Sequence, residues 1–316
     1  MLRYQADLKT VLWMAATTVL FIVQWRLGRV HWGLYVLYVY LSVAVAVIAH
    51  NHNHVRLWHG TCLNLLTDMW LTLFYGFPVF AWVPTHNQNH HKYHNTAPDD
   101  TKTWRVWEGN HVIALLTYPM ISAYYQQQAI GRYLVAMRRA NRSRFWICLG
   151  QICGLGTWVV AAVVLDWQKA LLFVVIPQQV ALNTVLVFNY LQHVHADEED
   201  AWNHSRNFTG RLLNVLLFNN GYHTIHHLQP GRHWSETPAA HRQIAHHINP
   251  VLNERSFVWY MIRTYCLGVF VRTLRRESLR LRRQQWTPAP RHPQCQGGPL
   301  SGGYNNLPTS RRTRNR

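Results

Sequence analysis

The sequence predicts an all-α integral membrane protein, with four transmembrane helices arranged in two hairpins and a cytoplasmic helical cap. Two observations carry this prediction. Four long apolar stretches come in two closely spaced pairs, and the residues between and after the pairs are polar and rich in histidine. Charged residues make up 14% of the 316 residues, against about 25% in ordinary soluble domains. A chain with so little charge cannot coat a soluble globule.

The aromatic content also favours a membrane. The chain has 15 Trp and 15 Tyr residues, whose amphipathic rings gather at the boundary between water and lipid. Mean hydropathy is nonetheless −0.14, so part of the chain must lie in water. The five cysteines are odd in number and form no CxxC pair. This argues against a disulfide framework and fits a reducing cytoplasm.

The formal net charge of +18 is large and indicates an anionic partner. An anionic cytoplasmic leaflet explains most of it. An acidic electron donor or an anionic acyl carrier would be attracted by the same charge. Nucleic acid is not a predicted partner, because the basic residues are not interleaved with aromatic residues on a recognisable binding module.

The first hairpin is predicted at about 9–27 and 32–50, each near the roughly 20 residues that a crossing needs. A basic start before an apolar run is typical of a signal peptide. No Ala-x-Ala-type cleavage site follows, however, and a second apolar run comes at once, so we expect a retained span. The hairpin returns the chain to its starting side at His50.

The second hairpin is predicted at about 146–165 and 170–191. The arginine-rich stretch before it is expected to be cytoplasmic by the positive-inside rule. Both termini then lie on the cytoplasmic side. Polar side chains in the fourth span favour either helix–helix hydrogen bonds or a functional cavity, and both interpretations stay open for Gln178, Gln179 and Asn183.

The predicted domain is a membrane domain over 1–286, in which 51–145 and 192–286 are cytoplasmic or interfacial. Its segment 55–84 is predicted as helices that lie in or dip into the interface, with a spanning hairpin as the alternative. The last segment, 287–316, consists of Pro, Gly, Ser, Asn and Arg to an extent that cannot bury a core. It is predicted to be a disordered basic tail.

Histidines cluster in four places, and these windows hold more than half of the 21 histidines. A lone histidine is ordinarily a satisfied core or surface residue. Several clusters at helical ligand spacing instead indicate metal, because imidazole is the commonest metal ligand and residues at i, i+4 share a helix face. The cap is thus predicted to carry a histidine-rich dimetal site. The clusters are His50/His54, His86/His90/His91/His94, His193/His195 and His223/His226/His227.

Three further features adjoin the clusters. Asn189 stands at i, i+4 to His193, so one helix face would carry an amide and an imidazole into the site. The acidic run 197–200 is either a set of acceptors for the outer N–H groups of ligand histidines or a solvated loop. The looser histidines of the C-terminal part are expected to lie outside the site; they are His241, His246 and His247.

The motifs His50-x3-His54, His86-x3-His90-His91 and His223-x2-His226-His227 resemble the three histidine boxes of the membrane fatty acid desaturase and hydroxylase superfamily. That superfamily includes alkane monooxygenases and carotenoid hydroxylases. The likeness runs from about residue 30 to 245. The last box, with its downstream Pro and Trp, is closest to bacterial fatty acid desaturase-like proteins. The second box, through Pro98-Asp99, is also similar to that of alkane monooxygenases.

The resemblance implies two iron ions held almost wholly by histidine. Ligand type alone would not select iron, since imidazole also suits Zn, Cu and Ni, and zinc can occupy the site in purified protein. His94 and His195 are alternates for His86 and His193. Asn189 is expected to bind through a bridging water. The implied ligands are His50, His54, His86, His90, His91, His193, His223, His226 and His227.

The implied reaction is O2-dependent oxidation of an unactivated C–H bond in a lipid or acyl chain, with electrons from an external donor. Desaturation is the first expectation, and hydroxylation of an alkyl, acyl or carotenoid substrate is the alternative. The resemblance implies an acyl-lipid, acyl-CoA or acyl-carrier-protein substrate, and a ferredoxin-, rubredoxin- or cytochrome b5-type donor. We expect a bacterial inner-membrane location with the metal site on the cytoplasmic side.

A more distant alternative is a non-enzymatic, histidine-rich metal-binding membrane protein. Transporters place their ionisable ligands near the middle of the bilayer along a path. The histidines here fall at span ends and in polar segments. Their placement therefore argues against a transport path.

Overall fold

The computed structural model describes residues 1–274 and 277–285. Two short strands, β1 (Asn207–Phe208) and β2 (Asn253–Glu254), pair in parallel. The other regular elements of these residues are helical. The helices are α1 (Gln5–Arg26), α2 (Trp32–His54), α3 (Thr61–Tyr75), α4 (Val79–Tyr93), α5 (Val112–Ala140), α6 (Arg142–Leu165), α7 (Trp167–His193), α8 (Arg211–Leu216), α9 (His223–Leu228), α10 (Thr237–Ile244), α11 (Phe257–Phe270) and α12 (Leu279–Gln285).

Four of these helices, α1, α2, α6 and α7, are long and apolar enough to cross a membrane, with 22 to 27 residues each. They form the two predicted hairpins, and the predicted fold class is confirmed. α2 and α7 run past the predicted spans, to His54 and His193 respectively. The extra turns carry histidines beyond the apolar segments. The predicted tail, 287–316, lies outside the described residues.

α2 is the central helix. It packs against α1, α3 and α7, and every side chain from Ala44 to Ala49 is buried. Six consecutive residues cover every face of a helix. Burial of all faces over this stretch fixes the axis of α2 in the bundle, so the histidines of its last turn stand on a rigid support.

The undecided segment 55–84 forms α3 and the first part of α4, whose axes are bent by 97°. This geometry is that of a broken span or a re-entrant segment. Gly76 ends α3 at φ 78°, and a Cβ there would lie 2.5 Å from Cβ of Gln178. Gln178 donates to the Leu73 carbonyl at 2.7 Å. Its polar group thus makes a helix–helix hydrogen bond.

Two basic segments of the chain are helical. α5 begins at Val112 and continues through the arginine-rich stretch before α6 to Ala140. Its Gln- and Arg-rich half is helical because long unbranched side chains lose little freedom in a helix. The basic helix α12 is short and runs from Leu279 to Gln285.

α12 packs on the acidic run that follows α7. Arg280 Nε lies 3.0 Å from Glu198 Oε1, and Arg283 Nε donates to Asp197 Oδ1 at 2.7 Å. These carboxylates of the acidic run thus bind arginines of α12 and not the outer N–H groups of ligand histidines, while Glu199 stays largely exposed. The pKa of Glu198 is nevertheless raised, because burial of the carboxyl outweighs the neighbouring guanidinium groups.

Candidate metal centre

The four histidine clusters converge at one end of the helix bundle. The last turns of α2 and α7 bring their histidines out of the apolar core, α4 contributes the second box, and α9 lies across them. The nine predicted ligands fall into two groups. Group A consists of His50, His54, His86, His91 and His226, and group B consists of His90, His193, His223 and His227.

Group A has a square of nitrogen atoms. His86 Nε2 lies 2.9 Å from His50 Nε2 and 3.1 Å from His91 Nε2. His226 Nε2 closes the square, at 3.0 Å from both His50 Nε2 and His91 Nε2. His54 supplies a fifth nitrogen within 4.8 Å of the others, and its Nε2 is buried without a hydrogen-bond partner.

Three nitrogen atoms of group B form a triangle, and a fourth histidine completes the group. The Nε2 atoms of His193, His223 and His227 lie 2.9, 3.0 and 3.1 Å apart. His90 completes the group, and its Nε2 is likewise buried without a hydrogen-bond partner. All four residues are buried, whereas three residues of group A are partly exposed.

A π-helical turn decides how the second box is divided. The rings of His86 and His90 stack at 5.3 Å, so they share a helix face as i, i+4 spacing predicts. They nonetheless belong to different groups. Residues Val83–His90 form a π-helix, in which the His91 N–H reaches the His86 carbonyl five residues back. The wider turn brings His91 rather than His90 beside His86, and such turns are frequent at functional sites.

The nitrogen spacing fits a metal ion with right-angled coordination. With a metal–nitrogen distance of about 2.1 Å, adjacent ligands lie about 3.0 Å apart at 90° and about 3.4 Å apart in a tetrahedron. The measured edges of both groups are 2.9 to 3.1 Å. Both groups therefore fit five- or six-coordinate ions better than a tetrahedral structural zinc. That these residues bind metal stays a prediction.

Two ligand rings are oriented by hydrogen bonds at Nδ1, the ring nitrogen that faces away from the group. His90 Nδ1 lies 2.8 Å from Asp99 Oδ2, and His193 Nδ1 donates to the His204 carbonyl at 3.1 Å. Such partners fix the tautomer that presents Nε2 to a metal. Asp99 also accepts from the N–H groups of the turn that contains it. These bonds and the nearby imidazole hold the pKa of the buried Asp99 carboxyl well below its usual range.

Sequence reasoning placed Asp99 only in a motif and missed what it does. The separation of nine residues between His90 and Asp99 is not a helical repeat. A left-handed turn at His94 and Asn95 brings the carboxylate back to the imidazole. The one signal in the sequence was Pro98-Asp99-Asp100, since such residues favour tight turns.

The other predicted or excluded residues lie as follows. Asn189 donates to the Tyr118 hydroxyl at 2.6 Å, and its binding through a water stays a prediction. His195 is outside both groups, whereas His94 forms a third cluster with His91 and His227. His241, His246 and His247 belong to none of the clusters of described residues that could hold a metal.

His204 is a buried histidine that sequence reasoning missed. Its ring lies 5.3 Å from that of His94 and 5.4 Å from that of His227. Burial lowers the pKa of His204 to about 3 and that of His94 to about 4. Both rings are therefore neutral near pH 7. No spacing signal could have placed His204, because it follows an irregular turn after α7.

Three histidines of group A line a surface cleft, and those of group B do not. The cleft floor is formed by ligand histidines of group A and its walls by the segment on either side of α9. Group A is thus the side of the site that small molecules reach directly. Its lining includes His50, His54, His226, Phe218, Arg232 and Trp234.

The family model described as "Fatty acid desaturase" matches residues 27–254 of the chain. The chain belongs to the fatty acid desaturase family. The match covers every histidine of groups A and B and the membrane-spanning helices α2, α6 and α7, and it begins directly after the end of α1. No curated protein and no solved structure gives a significant match. Membership implies an oxidoreductase that acts through metal on a lipid-type substrate, and the expected superfamily is confirmed.

Proposed function

We propose that this desaturase-family protein binds two iron ions and forms a carbon–carbon double bond in a long acyl chain. The single observation that carries the proposal is the pair of all-histidine nitrogen groups with edges of 2.9 to 3.1 Å at the end of an apolar bundle. Their spacing favours five- or six-coordinate iron over tetrahedral zinc. Zinc remains a contaminant to control for, because it outcompetes Fe(II) in the stability order.

Bound iron would supply the oxidising power: O2, two electrons and two protons are consumed together with two hydrogens of the substrate, giving an alkene and two waters. The chain's own residues hold and shield the ions. Asp99 and the His204 carbonyl orient His90 and His193. The buried shell around group B excludes water, and the cleft leaves group A open to O2.

Placement supports a substrate that comes from the membrane. The site lies where the apolar helices α2 and α7 end, and Trp82 packs against the rings of His50 and His86 at 5.3 and 5.1 Å. Apolar surface beside the ligands suits a methylene chain rather than a polar molecule. We propose an acyl-lipid, acyl-CoA or acyl-carrier-protein substrate.

Electrons must come from outside the chain, because histidine ligands hold no reducing equivalents. The net charge of +18 would attract an acidic donor. A ferredoxin-, rubredoxin- or cytochrome b5-type protein meets that requirement. The arginines near the start of α6 favour a cytoplasmic position for the site end of the bundle, and we propose the bacterial inner membrane.

Lipid profiling tests this function. Cells with the gene, without it, and with a His90→Ala variant are compared by mass spectrometry. Desaturation lowers the mass of one acyl species by two hydrogens, only when the intact gene is present. A gain of one oxygen instead establishes hydroxylation. An unchanged lipid profile with altered metal content would support the non-enzymatic metal-binding alternative and refute the proposal.

A further inference from the structure

Five imidazole nitrogens beside the metal groups are buried and have no hydrogen-bond partner. They are His91 Nδ1, His94 Nε2, His227 Nδ1 and both ring nitrogens of His204. Buried polar groups are nearly always satisfied, so such a concentration indicates a ligand. None of the five is among the Nε2 atoms that form the edges of groups A and B.

Three of these rings form one cluster. One nitrogen each from His91, His94 and His227 lie within 4.8 Å of one another. Hydrogen bonds of about 2.8 Å from one central oxygen atom can reach three nitrogens that lie up to about 4.8 Å apart. A water or hydroxide oxygen, which needs two to four polar partners, can therefore contact all three rings.

The chemistry of the partners is complementary. When the Nε2 atoms of His91 and His227 bind metal, their Nδ1 atoms carry protons and donate. A neutral His94 ring accepts at the nitrogen that carries no proton. One oxygen can therefore accept from His91 and His227 and donate to His94. The His204 ring stacks on that of His94 at 5.3 Å.

We infer that His94 holds a buried water-type oxygen ligand between His91 and His227, and is the positioning residue for one ligand of each metal group. The inference rests on the proposed dimetal site. Other ligands have separate supports, such as Asp99 behind His90 and the His204 carbonyl behind His193. His94 is different because its two neighbours belong to different groups.

His94 is held in place by its backbone. It sits at φ 44°, and Asn95 follows at φ 68°. A non-glycine residue with positive φ is uncommon and costs energy. Here the turn directs His94 toward the cluster and at the same time lets Asn95 N–H bind Asp99 Oδ2 at 2.8 Å. One turn thus serves the supports of both groups.

Metal titration of the purified full chain in detergent tests the inference. The metal-free protein is loaded anaerobically with Fe(II), and with Co(II) as a spectroscopic probe, and affinities are read from chelator competition. His94→Leu removes the acceptor and should lower the affinity for both ions by about 10- to 100-fold. His94→Gln keeps an acceptor near the position of Nε2 and should restore both affinities to within about threefold of wild type.

Two comparison variants make the result specific. Asp99→Asn should lower the affinity for the group B ion only, since His90 is the one ligand histidine that Asp99 contacts among the described residues. His247→Leu removes an exposed imidazole that stacks on Trp202, and should change neither affinity. If His94→Leu does not purify as a folded protein, His94→Asn replaces it. Asn tolerates positive φ, and its shorter side chain withdraws the acceptor, so the same loss at both ions is expected.

Three results would overturn the inference. His94→Leu could retain both affinities, or it could lose the affinity for one ion only. His94→Gln could also bind both ions no more tightly than His94→Leu does. Loss of one ion without rescue would make His94 a direct ligand. Wild-type protein that takes up fewer than two ions would refute the proposed dimetal function itself. Two ions in the wild type, with both retained in His94→Leu, would refute the role of His94 alone.

Discussion

Asp99→Asn tests whether the carboxylate behind His90 tunes one metal group. Asp99 Oδ2 faces His90 Nδ1 at 2.8 Å and Asn95 N–H at 2.8 Å, and Oδ1 accepts from Thr101 N–H and Oγ1 at 2.7 Å each. In each of these contacts an Asp99 oxygen accepts the hydrogen bond. In Asp99→Asn the amide NH2 would replace one of the two oxygens and face donors in either orientation, so part of the hydrogen bonds would always be lost.

The expected loss can be estimated from these contacts. Removing a carboxylate behind a ligand histidine typically lowers metal affinity by about 10- to 100-fold, or about 1.4 to 2.7 kcal/mol. The affinity for the group B ion should fall by this amount. The group A ion should stay within about twofold of wild type, because the hydrogen bonds of Asp99 go to His90, Asn95 and Thr101.

Stepwise chelator competition with Co(II) provides the assay, since two affinities are fitted separately. Asp99→Glu is the matched control: it keeps the charge but moves it by one methylene, and it should lose less than Asp99→Asn. The reasoning would be refuted if both ions weakened equally, or if Asp99→Asn bound both ions as tightly as the wild type. Equal weakening would mean that Asp99 supports the whole turn rather than His90.

Three further outcomes are expected. His86→Ala and His90→Ala should each lose a different ion, which the spectrum of the remaining Co(II) ion will show. Loss of the same ion in both variants would contradict the assignment of His86 to group A and His90 to group B. Gly76→Ala should lower the thermal midpoint by several degrees, because φ is 78° and Cβ of Gln178 lies 2.5 Å from the new Cβ; an unchanged midpoint would show that α3 and α7 separate easily. The metal-free protein should lose stability as the pH falls from about 6.5 toward 3, because the folded pKa of His204 is about 3 and the unfolded protein binds the proton first. His204 alone contributes up to about 1.4 kcal/mol per pH unit to this slope, and His204→Leu should reduce the slope by about that amount in unfolding titrations.

The sequence by itself determined the helical membrane fold and the chemistry of the site. The four apolar stretches need only length and composition to be recognised, because a crossing helix must satisfy its own backbone and bury about 20 apolar residues. The histidine boxes were equally visible. Imidazoles at i, i+4 on α2 and α9 meet because helical spacing is local, as the pairs His50/His54 and His223/His227 show.

The tertiary structure decided which histidines share an ion. His86 pairs with His91 and not with His90, because a π-helical turn widens the spacing and no local rule requires that turn here. His226 and His227 are adjacent in sequence but belong to different groups, because consecutive side chains leave a helix in directions about 100° apart. The supports of the ligands, Asp99 and the His204 carbonyl, come from irregular turns. Contacts across such turns depend on how separate segments pack, which spacing in the sequence does not encode.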